Sequence, residues 1–363
     1  MDDFTLKKLE LLCNGIRLPE HILTRFSGYR FKRASLSEGV CFDLFPSGSS
    51  QAIPINIAAR EAFVCKSPFM YDENKKAIFK NGQHFVQASL VEPPGWYACV
   101  LDDGTSFQEV FQVHYHSILA ASLTNFCEFK ETGRGCRFCA LGYQIEKPKI
   151  KSVEQVAAVL KELIKQNIYF NEVNLNAGTL LDEKKNCDLY LHIVQCIRKI
   201  TSVPIYIQIC PPKDMSFIDR LIEMGVSSLS FNLEIYDEEL RKDSMPGKAR
   251  ISRERYFKAM AHASKLLGAE QISSWLIAGL EPVESTITAI KHIISVGAIP
   301  FVTVFRPLIG SEYEKRLPPE PNTLIPIFDA LGTSLIHLKY NRQKTKCGCV
   351  KCNCCSAFAE VLP

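Results

Sequence analysis

The chain has 363 residues, 47% of them hydrophobic, and a net charge of +4 from 43 Lys and Arg against 39 Asp and Glu. That length and apolar content suffice for one large α/β domain with an appendage, and so small a charge excess calls for neither nucleic acid nor a membrane surface as a partner. Fifteen cysteines are too sparse for a small disulfide scaffold and odd in number, which favours metal binding over cross-links.

The opening segment MDDFTLKKLELLCNGIRL begins with acidic residues and has no continuous apolar core, so it predicts an amphipathic helix and not a signal peptide. No run of about 18 apolar residues occurs, which excludes an ordinary spanning helix. A cytoplasmic location, where thiols stay reduced, is therefore expected. From there to about residue 112 the chain reads as short β-like runs (GVCFDLF, QAIPINI, EAFVCK, HFVQASL, WYACVL, EVFQVHY) separated by the turn signals PSGSS, DENKK, NGQ, EPPG and DDG. This predicts a mostly β N-terminal accessory domain over residues 1–112. Cys13, Cys41, Cys65 and Cys99 lack ligand spacing and read as small buried hydrophobes. His114 and His116 alternate on one strand face, a pattern that suits packing better than a metal pair.

After the apolar run ILAASL comes the loop TNFCEFKETGRGCRFCALG, in which Cys127, Cys136 and Cys139 form a C-x8-C-x2-C set. Gly133 and Gly135 let the backbone turn back so that the three thiols can approach one metal or cluster. Three ligands are one short of a closed zinc site or an ordinary cluster, which leaves a metal position open for another molecule. A zinc knuckle borrowing a distant fourth ligand is the structural alternative. Beyond the loop, strand and helix patterns alternate. SVEQVAAVLKELIKQN, EVNLNAG, CDLYLHIVQCIRKIT, PIYIQI, DMSFIDRLIEMG, SLSFNLE, RERYFKAMAHASKLLG, ISSWLIAG, ESTITAIKHIISVG and IPFVTVFRP give, with ILAASL, six strands separated by helices. Such a repeat predicts parallel strands with right-handed crossovers. Ser152 with Gln155 forms a capping pair, and Gly225, Gly268 and Gly297 stand where helices should end.

The cysteine loop and the repeat after it resemble the radical S-adenosylmethionine (radical SAM) superfamily over roughly residues 113–310. Phe138 stands where that family commonly has an aromatic residue before the last cysteine, whereas the x8 spacing departs from the usual C-x3-C-x2-C. The resemblance implies a partial (β/α)6 barrel over 113–312, with chemistry at the C-terminal ends of its strands. It implies that Cys127, Cys136 and Cys139 hold a 4Fe-4S cluster whose fourth iron binds SAM. A low-potential electron donor such as ferredoxin or flavodoxin, and a small-molecule or carrier-bound substrate, follow as expected partners.

The cofactor-binding candidates lie at strand ends. Asn176 and Gly178 end the second strand, in the place of the family's Gly-Gly-Glu-like motif, although a glycine for the strand-to-helix turn serves equally well there. Asn232 and Glu234 alternate along the fourth strand and share a face. A carboxylate inside a barrel needs a partner, either a ligand or an internal Lys or Arg. In the loop after it, Arg250 is the stronger and Lys248 the weaker candidate to face a carboxylate. Ile277 and Gly279 match the family's adenine-contact motif on the fifth strand, with Ser274 replacing its first glycine and Glu281 one residue short of its spacing. Arg306 ends the sixth strand, where substrate contact or closure of the barrel mouth is expected.

Residues 313–363 comprise a last helix and the tail NRQKTKCGCVKCNCCSAFAEVLP. Cys347, Cys349, Cys352, Cys354 and Cys355 are too dense for packing or for several unstrained disulfides, and they predict a second, auxiliary iron-sulfur cluster near the barrel mouth. A four-cysteine zinc site would use the same residues. Barrel and tail together look most like the biotin synthase and lipoyl synthase neighbourhood, which implies C-H functionalisation by a SAM-derived radical and, in particular, sulfur insertion. Dehydrogenation or rearrangement with an auxiliary redox cluster is the alternative within the superfamily. A non-catalytic iron-sulfur or zinc scaffold is the alternative outside it.

Overall fold

The computed structural model describes residues 1–25, 39–143 and 147–362. Two sheets organise them. The first is antiparallel, in the order β2-β1-β5-β4-β3, from Val40–Phe45 (β1), Ile53–Ile57 (β2), Phe69–Asp72 (β3), Ala77–Lys80 (β4) and Gln83–Leu90 (β5). The tight hairpin between β4 and β5 turns on Asn81 and Gly82, both at positive φ, the Asn-Gly signature of a type I′ turn.

The mostly β expectation holds for this sheet but not for every run in it. EAFVCK and WYACVL contain 3-10 turns, Ala62–Lys66 and Gly95–Ala98, because their apolar residues are consecutive and do not alternate. The EVFQVHY run begins as a short helix, Phe107–Val110, because the Ser106 side chain accepts the Glu109 N–H. FMYD and AIFK, strands that flank the DENKK turn, went unread because each is only four residues long.

The second sheet has seven strands in sequential spatial order: Gln112–His114 (β6), Ile118–Ser122 (β7), Glu172–Asn176 (β8), Ile205–Gln208 (β9), Ser228–Ser230 (β10), Ile272–Ala278 (β11) and Ile299–Val304 (β12). β7 to β12 are the six expected strands and pair in parallel, while β6 adds an antiparallel edge. No described residues pair β12 with β7, so the barrel is open. The helices between strands start where polar side chains cap them: Ser152 and Gln155 form a complete capping box on Val153–Lys165, and Asp182 caps Glu183–Ile200. Gly225, Gly268 and Gly297 follow helices at positive φ, as their placement predicts.

The cysteine tail enters the barrel from the end opposite the mouth and reaches the cavity at Cys355. The helix Pro321–His337 follows β12 as each crossover helix follows its strand, and it returns the chain to the N-terminal ends of the strands, opposite the mouth. There Gln271, just before β11, donates to Lys344 O (2.7 Å) and accepts from Lys346 N (3.0 Å). Gly348 N donates to Oε1 of Glu172, the first residue of β8, at 3.0 Å. The tail then packs inside the barrel: a Cβ on Gly348 would stand 2.6 Å from the Tyr206 ring, Gln208 Nε2 lies 3.4 Å from Cys349 Sγ, and Ser356 Oγ donates to Val302 O. Phe358 packs against Phe301 and Tyr340 at 5.9 and 5.8 Å between ring centres. The tail is therefore part of the core.

Its end is pinned to the first helix, Asp3–Asn14, by a buried ion pair. Lys8, fully buried, donates to Glu360 Oε1 at 2.9 Å and to Asn353 O at 3.1 Å. Removing one member strands a charge in a low-dielectric interior, at a cost of about 3–5 kcal/mol, whereas replacing both by apolar residues is close to neutral. Glu360→Ala should therefore lower the unfolding free energy by about 3 kcal/mol or more in chemical denaturation, and adding Lys8→Met should recover most of that loss. Equal stability of Glu360→Ala and the parent chain would mean that the pair contributes nothing.

Candidate functional site

The three loop cysteines are held by backbone contacts to three strand ends. Cys127 precedes the short helix Glu128–Glu131, and Glu128 N donates to Thr179 O beyond β8 at 3.0 Å. Arg137 N donates to Ser244 O (2.8 Å), and Gly247 N donates to Arg134 O (2.9 Å). Tyr313 N, beyond β12, donates to Arg137 O at 3.1 Å. Two glycines make this packing possible. A Cβ on Gly178 would lie 1.9 Å from Phe126 O and 2.8 Å from Cys127 Cβ, and one on Gly247 would lie 2.5 Å from the Phe129 ring. The decisive role of Gly178 is thus close approach to the cysteine loop, with access to the cavity as a consequence.

Cys127, Cys136 and Cys139 line one cavity of about 1170 Å³ together with Asn176, Gly178, Asn232, Glu234, Ile277 and Phe138. Phe138 is buried with Ile235, Met245, Leu280, Phe305 and Tyr313, against which Cys136 and Cys139 pack. Burial first, then the Glu234 carboxylate, drives the Cys136 thiol well above its ordinary pKa, and burial pushes Cys139 up to about 11. Such thiols give up their protons to a metal more readily than to water. Among the described residues no three His, Cys, Asp or Glu side chains converge as ligands of a single ion. In a cluster each thiolate meets its own iron, so its cysteines need not converge so closely. Three cavity-lining thiols from one loop fit a site-differentiated cluster.

Glu234 lies at the centre of the wall. Its backbone is left-handed, φ 67°, and its N–H donates to Trp275 O at 2.7 Å. Its Oε2 accepts from Lys248 Nζ at 2.7 Å. Burial opposes the Lys248 charge, but Glu234, followed by Tyr256, Cys210 and Cys136, holds this ammonium protonated well above the ordinary lysine range. The internal Glu-Lys pair is thus the partner that Glu234 has, and it comes from Lys248 and not from Arg250. Arg250 is exposed on the 3-10 turn Lys248–Arg250 and does not line the cavity.

Beside the pair, Asn232 donates from Nδ2 to Gln208 Oε1 at 3.0 Å. Asn176 lines the same space, and its buried Oδ1 has no protein partner. Gly279 lies outside the cavity, at φ 98°, where a Cβ would meet Pro319 Cγ at 2.7 Å. Glu281 accepts the N–H groups of Tyr236 and Asp237 at 2.8 Å each, and so orders a loop. Arg306 lines the cavity but is bound to Asn56 of the first sheet, through Nη1 to Oδ1 at 3.0 Å and Nη2 to the carbonyl at 2.7 Å.

Lys151 lines the same cavity, and no sequence signal singled it out. Burial pushes its ammonium down to about 8, and its Nζ donates to Ser122 O. Cys355 of the tail lines the same cavity, so the space reaches from the cysteine loop to the tail. Cys210 lines it too, 3.5 Å from Thr179 Oγ1, whereas Cys187 and Cys196 are buried in their helix. His116 pairs with Asp43 at 3.0 Å. Cys65 is exposed, against the expectation of burial.

The three-cysteine loop follows the first parallel strand of an open parallel barrel. Residues 121–281 match the Radical SAM superfamily. Among curated proteins, the bacteriochlorophyllide c C-7(1)-hydroxylase of Chlorobaculum limnaeum is 22% identical over 288 residues, covering 71% of this chain and 69% of that protein. Among solved structures, methylornithine synthase (PylB) is 19% identical with a TM-score of 0.47, over 59% of this chain and 61% of that one. Coproporphyrinogen III oxidase (HemN) from Escherichia coli is 16% identical with a TM-score of 0.43, over 62% of this chain and 53% of that one. In both cases the chain spans less than two thirds of the solved structure's length. Among the described residues no helix is long and apolar enough to cross a membrane.

Since Gly178 touches backbone, Gly178→Ala must push the cysteine loop away from β8. We expect anaerobically reconstituted Gly178→Ala to carry less than half the loop-bound iron of the parent chain, at a melting temperature within a few degrees of it. Full iron loading in that variant would show that the loop tolerates the shift.

Proposed function

We propose that this chain is a radical SAM enzyme that cleaves SAM reductively at a 4Fe-4S cluster held by Cys127, Cys136 and Cys139, and uses the cleavage for C-H functionalisation of a substrate bound in the same cavity. The observation that carries the proposal is the shared wall: the three thiols, the Asn176 acceptor and the Glu234-Lys248 pair all face one space. At about 1170 Å³ it exceeds the roughly 300–1,000 Å³ of an ordinary ligand pocket, which leaves room for SAM and a substrate together.

When bound, cluster and SAM supply the 5′-deoxyadenosyl radical that abstracts hydrogen. The chain itself positions and shields. Asn176 Oδ1 accepts from the amino group of SAM. Lys248 Nζ, 2.7 Å from Oε2, holds the Glu234 carboxylate in one orientation before the ligand arrives. Phe138 and Ile277 keep water from the cysteine loop. A low-potential donor such as ferredoxin or flavodoxin delivers the electron, and the substrate is a small molecule or a carrier-bound group.

The finer reaction is sulfur insertion, with the tail cysteines holding an auxiliary iron-sulfur cluster. Its support is Cys355, a tail thiol in the same cavity as the cysteine loop. A second reading, hydroxylation of a C-H bond, is favoured by the similarity to the bacteriochlorophyllide c hydroxylase.

Anaerobic turnover with a strong reductant tests the shared basis of both. The reconstituted chain should form methionine and 5′-deoxyadenosine from SAM, and the Cys127→Ala/Cys136→Ala/Cys139→Ala variant should form neither. Equal product from that variant would remove the loop from the reaction.

A further inference from the structure

Residues 147–151, the run Lys-Pro-Lys-Ile-Lys, lie antiparallel to residues 123–125, which join β7 to the cysteine loop. Asn125 Nδ2 donates to Lys147 O (3.1 Å) and Asn125 N to Lys149 O (3.2 Å). Lys149 N donates to Asn125 Oδ1 (2.6 Å), and Lys151 N to Leu123 O (2.8 Å). Side chains alternate along an extended segment, so the three lysines share a side, and all three line the cavity, as do the acids Asp103 and Glu109. Among the described residues none of the three lysines makes an ion pair. Lys147 and Lys149 are exposed, whereas Lys151 is half-buried. An ammonium has three N–H donors, and the one bond that Lys151 Nζ makes among the described residues is to Ser122 O.

We propose that Lys151, with Lys147 and Lys149 on the same side, binds an oxyanion of the substrate, a carboxylate or a phosphate, in this arm of the cavity. The assignment rests on the reading of the cavity as the place where SAM and substrate meet. Withdrawing an ammonium from water without a counter-charge is unfavourable, and burial accordingly lowers the Lys151 pKa to about 8, with Glu109 offsetting part of the effect. Lys248 shows the paired case in the same cavity: at 2.7 Å from Glu234 Oε2 it stays protonated well above the ordinary lysine range. Lys151 has no such carboxylate, and an oxyanion entering from the cavity supplies the counter-charge through charge-assisted hydrogen bonds. The ammonium is held in place, since Ser122 O and Leu123 O bind the two ends of the lysine at the end of β7. Cys127 lies a few residues further along that stretch, so an anion held here keeps the rest of the substrate in the space that the cysteine loop lines.

The test uses trifluoroacetate for the carboxylate and inorganic phosphate for the phosphate, each titrated into the anaerobically reconstituted full chain at constant ionic strength and followed by its fluorine or phosphorus NMR line width. At least one probe should broaden saturably, and which one does so tells a carboxylate from a phosphate. Lys151→Met should weaken that binding about tenfold or more, as the loss of one charged hydrogen bond requires. Lys151→Arg, which keeps the charge, should stay within about threefold of the parent chain. No saturable broadening by either probe, or equal broadening in Lys151→Met, overturns the site. If Lys151→Met does not fold, acetylation of the parent chain decides, read by peptide mass spectrometry: saturating probe should slow modification of Lys151 and not of the exposed Lys66, and an unchanged rate at Lys151 overturns the site. Binding is read without turnover, so a chain that holds the probe at Lys151 yet cleaves no SAM keeps the anion site and loses the radical SAM reading.

Discussion

The structure depends on keeping the cysteine tail inside an open barrel, and the constraint is hydrogen bonding at Asn56. One buried residue satisfies the tail backbone, the Arg306 guanidinium and a cysteine of the first sheet. A buried amide left without partners costs about 1–3 kcal/mol for each unsatisfied group, so these contacts stand or fall together. The Lys8-Glu360 pair closes the same arrangement from the N-terminal helix. Accessory sheet, barrel and tail consequently form one packed unit, and the cavity between them has a fixed floor.

The upper end follows a different logic. There the chain buries charge on purpose: Glu234 and Lys248 sit at contact distance beneath Cys136. Burying such a pair is expensive by itself, since desolvation offsets most of the attraction. Its use is preorganisation, because a carboxylate fixed by an ammonium in a dry wall does not have to reorient when a ligand binds. The left-handed backbone at Glu234 aims the side chain into the cavity, and strain of that kind is characteristic of functional sites.

Much of this was legible in the sequence. Six strand-helix repeats carry their own punctuation in Ser152, Asp182, Gly225 and Gly268, and the barrel follows from them. The cysteine loop announces itself because three thiols in one loop have few other uses. What the sequence hid is long-range partnership. Nothing local separates Lys248 from Arg250 as the partner of Glu234, and only the 3-10 turn that exposes Arg250 decides it. Gly279 fits a motif by spacing yet serves its contact with Pro319. The route of the tail was hidden: a helix following a parallel strand returns to the strand starts, and only the passage of the tail back through the barrel brings Cys355 to the cavity. Asn56 was invisible for the same reason as Lys8 and Lys151: single residues whose meaning lies in partners hundreds of positions away or in the depth of a cavity.

The central claim is that three loop cysteines leave one iron open to SAM, and the reduced cluster reports on this directly. Low-temperature EPR of the anaerobically reconstituted, reduced protein should show a four-iron cluster signal whose g values shift when SAM is added. A reduced cluster signal that SAM leaves unchanged at saturating concentration would contradict the account.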